Sequence, residues 1–395
     1  MSTNPFTLEI RTKDLDRIAT LPASATWTVD MEIGTVGSWE IRLPIEEPAA
    51  KALQTPGAGI ILTGPTGPVF SGPATNHQYE ATTTDPHGIL IIEGTSDLVH
   101  LHDRLVWPKP ANPVTDQAGV WRSEGHTSDV IANLVDRNAG AGARSERRVR
   151  ALTIAPVDAF GVDDVAVARF HNLFGLLVEL AAKGDTVFAL TQIDRELVFT
   201  QWAPDDRSAT IRWSLASNDL SGTRAAITAP STTFPVVTYE FTPPDAKNAK
   251  ETTADVPILA STKKVETLWG RRIEKTESTG AGNTKEGEAI DAPAIAKGIE
   301  RQRTEAITGI VAEAIPLEGA LTNLALPLGT KVAVDIDGVE TPAAITGYTL
   351  TADDKGFRIE AKVGDAARLH PAQWLGRRIA DLAERLTRLE RGHPR

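Results

Sequence analysis

Trp27–Leu43 reads WTVDMEIGTVGSWEIRL. Trp27, Val29 and Met31 alternate with Thr28, Asp30 and Glu32, and the pattern restarts at Trp39, Ile41 and Leu43. Apolar side chains at every second position place one face of a strand on a core. Gly34, Gly37 and Ser38 lie between the two runs and fit a turn or bulge. The stretch therefore predicts paired strands, and its neighbours extend the β reading. Upstream, Phe6–Ile10 (FTLEI) also alternates. Downstream, EEPAAKALQ within Pro44–Pro56 predicts a short helical turn. Gly59–Thr63 (GIILT), the turn Gly64–Gly67 (GPTG) and Pro68–Ser71 (PVFS) then read as a hairpin. Gly88–Gly94 (GILIIEG) is an unbroken apolar run, expected to be a strand buried on both faces.

After Trp107 the character changes. Pro108–Pro113 (PKPANP) reads as a linker or long loop. In Thr127–Asn138, Val130, Ile131, Leu134 and Val135 form one helical stripe. Thr127 or Ser128 can cap it, and Asn138 with Gly140 can end it. A second helix is expected over Arg169–Lys183, closed by Gly184–Asp185, followed by a hairpin from Thr186–Gln192 through Asp194–Arg195 to Glu196–Trp202. Helix followed by hairpin makes this a small α+β domain. Strands resume at Ala209–Leu215, Ala225–Ile227 and Val236–Phe241.

From Thr242 to about Ala294 the chain is polar, with runs such as EKTESTGAGNTKEGEAID. Such composition buries too little apolar surface to offset ordering entropy, so a flexible or extended excursion is expected, broken by a strand near Val265–Trp269. Ile295–Ala314 has a helical pattern, and Leu317–Leu324 either extends it or forms a turn. A final β unit takes Thr330–Ile336, the turn pair Asp337–Gly338, Ala344–Thr351 and Gly356–Val363. Pro371 opens a last helix. Its Leu375, Ile379, Leu382, Leu386 and Leu389 make an a/d stripe that packs on its own domain or mediates self-association.

Bulk composition narrows the function. Domains average roughly 100–200 residues, which puts two to four of them in this chain of 395. No apolar run approaches the roughly 20 residues a bilayer crossing needs, so no membrane span is expected. Met1–Ile10 lacks a basic stretch followed by an apolar core, which argues against a secretory signal. With no cysteine, disulfides, thiolate metal sites and cysteine nucleophiles are excluded. The net charge of −11 argues against general nucleic-acid binding. The one basic cluster, Arg144–Arg150 (RSERRVR), reads as a solvated loop or helix face.

Chemical motifs are sparse. His100, His102 and Asp103 (HLHD) would place two histidines on one face of a strand, but no third ligand is marked by spacing. His77, His87, His126, His171, His370 and His393 are isolated. Gly37-Ser38 and Ser221-Gly222 are only fragments of a nucleophile elbow. Gly57 and Gly59 fail the strand-to-helix context of a dinucleotide site, GPTG lacks the Lys of a phosphate loop, and HExxH is absent. Carboxylate pairs such as Glu46–Glu47 and Asp163–Asp164 occur by abundance alone. The tryptophans Trp27, Trp39, Trp107, Trp121, Trp202, Trp213, Trp269 and Trp374 are scattered, which favours core or interface anchors. No catalytic residue, cofactor or metal site is expected, and the chain reads as a non-enzyme.

Val36–Pro44 (VGSWEIRLP), the helical turn, Pro56–Thr63 (PGAGIILT) and Val69–Pro73 (VFSGP) together resemble minor tail proteins of long-tailed phages of actinobacteria. These are similar in organisation to the baseplate hub of phage tails. The helix with Val130–Leu134, the helix and hairpin at Leu173–Phe199, and Leu326–Gly338 (LPLGTKVAVDIDG) with Ile345–Thr351 follow in hub-like order. The long polar insertion at roughly 242–294 departs from that pattern.

The resemblance implies a mainly β, multi-domain protein with an α+β insertion, two β-barrel-like tube domains and a C-terminal helix. The map is tube domain I at 1–107, a peripheral α+β domain at 108–208, tube domain II from 209–245 and 325–365, the polar insertion with its helix at 246–324, and the amphipathic helix at 366–395. It implies a homotrimeric ring in the virion tail tip that adapts a hexameric tube to a threefold tip, with Leu375–Leu389 at the axis. The distal tail protein, the tape measure protein and tail fibre or central spike proteins would be its neighbours, and genomic DNA would pass without specific binding. Two other readings compete: a carbohydrate- or receptor-binding adhesion protein, marked by tryptophans clustered on one exposed face of 108–208, and a tail-associated cell-wall hydrolase, marked by two carboxylates or His102 with Asp103 in one cleft.

Overall fold

The computed structural model describes residues 4–81, 87–217, 220–241, 250–281, 291–306, 309–316, 324, 326–336 and 339–364. The expected C-terminal helix with Leu375, Ile379, Leu382, Leu386 and Leu389, the Asp337–Gly338 turn, and most of Leu317–Leu324 lie outside the described residues. The chain divides into two compact units. The first runs to Thr223 and resumes at Glu313; the second is Arg224–Ala312.

The first unit begins with β1 (Thr7–Arg11), β2 (Arg17–Thr20), β3 (Thr26–Glu32), β4 (Ser38–Pro44), the short helix α1 (Pro48–Leu53), β5 (Gly59–Gly64), β6 (Gly67–Glu80) and β7 (Ile89–Thr95). The alternation in Trp27–Leu43 does what its period requires. Trp27, Val29 and Met31 of β3 and Trp39, Ile41 and Leu43 of β4 are all buried, and the two strands pair with Val29 opposite Trp39. Each such side chain contributes about 1.5–3 kcal/mol by leaving water. The apolar run in β7 buries Leu90, Ile91 and Ile92 as expected. β6 is longer than its apolar part. It pairs with β5 through Pro73 and then, after a register shift near Ala74, with β7 through Glu80.

A lobe follows, built from α2 (Val99–His102), β8 (Trp121–His126), α3 (Thr127–Ala139), β9 (Leu152–Ile154), β10 (Asp163–Ala168), α4 (Leu173–Lys183), β11 (Val187–Ile193) and β12 (Glu196–Trp202). Val130, Ile131, Leu134 and Val135 of α3 are fully buried with Leu173, Leu177 and Phe199, so the α3 stripe and the buried face of α4 meet in one core. The expected caps are different. His126 precedes α3 as its N-cap, while the Thr127 hydroxyl donates to Val162 O (2.8 Å) and Ser128 Oγ accepts from Phe160 N (2.9 Å). Both hydroxyls hold the loop before β10 instead of capping. α4 starts four residues later than the pattern predicts, because Phe170 adopts φ 55° and Asn172 caps the helix by accepting from Gly175 N.

The chain continues through β13 (Arg212–Trp213) and β14 (Leu220–Thr228). In the second unit, β15 (Phe234–Phe241) pairs antiparallel with β16 (Lys250–Thr253); α5 (Ala260–Trp269) follows, and β17 (Glu274–Ala281) runs parallel to β15, with α6 (Ala292–Glu305) against them. Two expectations change here. The strand near Val265–Trp269 is the helix α5, ended by Gly270 at φ 60°. The excursion expected to be flexible or extended holds the extended strands β16 and β17 in its described residues. Likewise, the helix expected through Ala314 stops at Glu305, and Gly309–Pro316 is the strand β18.

The first unit closes with β19 (Lys331–Ile336), β20 (Val339–Asp353) and β21 (Gly356–Val363). β20 pairs with β19 through Ala344, then with β21 on one side and β3 on the other, Leu350 lying opposite Val29. Strands of residues 1–107 and of Lys331–Val363 therefore share one sheet, whose path is β14-β18-β21-β20-β3-β4-β7-β6-β5-β1-β2, while β15 belongs to the separate sheet with β16 and β17. The chain is mainly β with an α+β lobe inserted, and no closed barrel forms among the described residues.

Candidate functional site

Four polar residues remote in sequence meet where the lobe joins the sheet. A register shift between Ile10 and Arg11 turns two consecutive side chains of β1 inward, so Arg11 is buried beside Ile10. Its Nη1 donates to Asp97 Oδ2 (2.8 Å) and its Nη2 to Asp97 Oδ1 (2.5 Å). Nη1 also donates to Gln192 Oε1 on β11 (2.9 Å). The Ser71 hydroxyl on β6 donates to Asp97 Oδ2 (2.5 Å) and accepts from Gln192 N (2.6 Å), while Asp97 N donates to Ser71 O (2.8 Å). Gln192 Nε2 donates to Leu15 O (2.7 Å) and Asp194 O (2.6 Å). None of the four residues is more than 3% exposed.

The electrostatics follow from that packing. Burial opposes the Asp97 charge, but the neighbouring His100, the Arg11 guanidinium and the Ser71 hydroxyl outweigh it and hold the carboxyl below its ordinary value. A bidentate arginine–carboxylate pair with its remaining lone pairs satisfied is a locking device. The Asp97 carboxylate oxygens and the Ser71 hydroxyl are all taken up by protein partners. The arrangement fixes the hairpin β11–β12 to the end of β1 and to Ser71 within β6. The motif residues Phe70-Ser71-Gly72 have their reason here. Ser71 serves the lock, and a Cβ on Gly72 would lie 1.7 Å from Thr95 O.

The residues that the sequence singled out are dispersed. His100 and His102 sit on the helix α2, not on a strand, and do not share a face. His100 Nε2 lies 3.5 Å from Asp97 Oδ1, whereas the His102 ring is tilted against Phe174 with centroids 6.1 Å apart. No cluster of three potential metal ligands occurs among the described residues. Glu46 bonds His87, Glu47 accepts from Ser24, Asp163 faces His126 and Asp164 faces Lys183. In 108–208, Trp121 is buried and the Trp202 indole N–H donates to Leu328 O, so they form no exposed platform. The basic cluster is partly structural. Arg144 pairs with Glu146, and Arg147 is buried over the Trp107 ring at 4.1 Å with Nη2 donating to Leu105 O. Burial, then repulsion from Arg104, pushes Arg147 down to about 10. The lock itself was invisible in sequence, because its members stand 86 and 181 residues from Arg11.

The order of elements, an open β-sheet fed from both parts of the chain with an α+β lobe inserted, is that of phage tail proteins. The 43 kDa tail protein of prophage MuSo2 from Shewanella oneidensis has TM-score 0.52 at 12% identity, over 91% of this chain and 98% of that one. A tail protein from Neisseria meningitidis has TM-score 0.52 at 12% identity, over 91% and 96%. Prophage tail protein gp18 from Listeria monocytogenes has TM-score 0.50 at 10% identity, over 90% and 94%. At these identities the likeness is one of fold. No curated protein sequence matches. Residues 7–365 match the Siphovirus ReqiPepy6 Gp37-like protein family, and the chain belongs to it. It is a phage tail protein of the siphovirus type, as the resemblance at Val36–Pro73 implied.

Proposed function

We propose that the chain is a non-enzymatic hub of the tail tip, three copies of which form a ring that adapts a hexameric tail tube to a threefold tip. The carrying observation is the tail-protein fold spanning nine-tenths of the chain. The open sheet supports it. β2 ends the strand path with no second partner strand among the described residues, and Ile18 on it is 48% exposed. An unpaired edge is a template for another chain. In this reading Leu375, Ile379, Leu382, Leu386 and Leu389 pack at the ring axis. The distal tail protein, the tape measure protein and a fibre or central spike are the neighbours, and the net charge of −11 lets genomic DNA slide past without adhering.

Light scattering over a concentration series tests the ring. A mass of three times 42.3 kDa supports it, and deletion of residues 371–395 then lowers the mass. A monomer at every concentration that also fails to co-purify with other tail proteins overturns it.

A further inference from the structure

Beside the lock, the first unit has an open cleft of about 310 Å³ whose rim is cationic in an otherwise acidic protein. Lys13, Arg104 and Arg148 line it above a floor of Leu15, Val149 and Leu197. Two other cations of the lining are neutralised, Arg11 by Asp97 and Arg150 by Asp14. Lys13, Arg104 and Arg148 have no carboxylate partner among the described residues. The two arginines are nevertheless held. Arg104 donates through Nε to Arg147 O (3.2 Å) and Arg148 through Nε to Ala143 O (2.9 Å), which leaves their Nη groups without a protein acceptor among the described residues. Gly57 keeps the wall close to Lys13, because a Cβ there would lie 2.8 Å from the lysine Cβ. A pre-positioned guanidinium fork with unfilled donors matches an oxyanion, and it loses little side-chain entropy on binding.

We infer that this cleft receives an acidic peptide segment of another protein, its carboxylates on Lys13, Arg104 and Arg148 and its apolar side chains on Leu15, Val149 and Leu197. An apolar floor under a cationic rim fits alternating acidic and apolar side chains better than a sugar–phosphate backbone. The cleft holds a few side chains, not a duplex, and the net negative charge repels a long polyanion. The inference requires only that the chain works through protein contacts; it does not depend on the number of copies in a ring.

The test is fluorescence anisotropy on the full chain, with a fluorescein-labelled peptide of repeating Asp-Leu-Glu as probe and a labelled oligothymidylate for comparison. The acidic peptide should bind, weaken with added salt, and bind Lys13→Glu/Arg148→Glu about tenfold or more weakly, with the fold of the variant retained by circular dichroism. Lys13→Glu alone, on an exposed side chain, should move affinity in the same direction by less. Absence of peptide binding, equal binding by both variants, or tighter binding of the oligothymidylate overturns the inference. A monomer that binds the peptide would retain it while ending the ring, and a trimer that does not bind would do the reverse.

Discussion

The lobe of the first unit and the small sheet of the second are ordered by different forces. Around the lobe, twenty buried apolar side chains form one cluster, with Val130, Ile131, Leu134, Leu177 and Phe199 fully enclosed. In the second unit the corresponding cluster among the described residues is Val237, Val256 and Ala294, with Tyr239, Ala254 and Ile299 packed against it. Ions supply much of the rest. Glu277 on β17 receives Arg301 and Lys297 from α6, and Arg272 stacks 3.5 Å over Phe234. Burial depends weakly on salt, whereas half-exposed ion pairs are screened by it. Among the described residues, one unit thus shows a large apolar cluster and the other a small one flanked by ion pairs, and their responses to salt should separate.

The largest effect should come from emptying the lobe. Phe199→Ala should cost about 3–5 kcal/mol, read from the urea midpoint of the first unit. An effect near that of a surface substitution would mean the lobe core is not the source of its stability. The lock comes next. Asp97→Asn leaves Arg11 buried without its counter-charge and should cost about 3 kcal/mol. The carboxyl of Asp97 is held below its ordinary value, so its contribution is present above the unfolded-state carboxylate range and disappears as pH falls through the folded value. Wild type should therefore lose stability in acid more steeply than Asp97→Asn, in urea titrations at descending pH. Parallel losses would show that Asp97 gains nothing from its partners. The smallest effect belongs to the second unit. Arg301→Ala should cost about 1 kcal/mol at low ionic strength and less in high salt. A loss that salt leaves unchanged would erase the contrast between the two regions.

Legibility in sequence followed the same division. Where burial decides structure, periodicity announced it. Trp27–Leu43, the stripe of α3 and the hairpin β11–β12 stand where their patterns place them, and α4 does so from Leu173 onward. Where polar residues build structure, the pattern was silent. KETT in β16 and EKTESTGA in β17 carry no apolar alternation, and they are strands because β15 offers both of its edges to them. Val265, Leu268 and Trp269 fit a short strand as well as one face of a helix, and Gly270 in the left-handed region decided for the helix. The HLHD run was misplaced because a four-residue helix leaves no period to detect. The lock joins single residues of three strands and the Asp97 turn, which no local spacing can reveal.

β20 has a mechanical consequence. Its fifteen residues are held first by β19 and then, beyond a register shift, by β3 and β21 at once. A pull along its axis does not peel one hydrogen bond at a time. It loads the bonds to two neighbours in shear, and the covalent backbone carries tension from one stretch of sheet into the next. β6 repeats the device between β5 and β7. Two continuous tendons thus cross the sheet of the first unit, and a load on one stretch of it reaches the next.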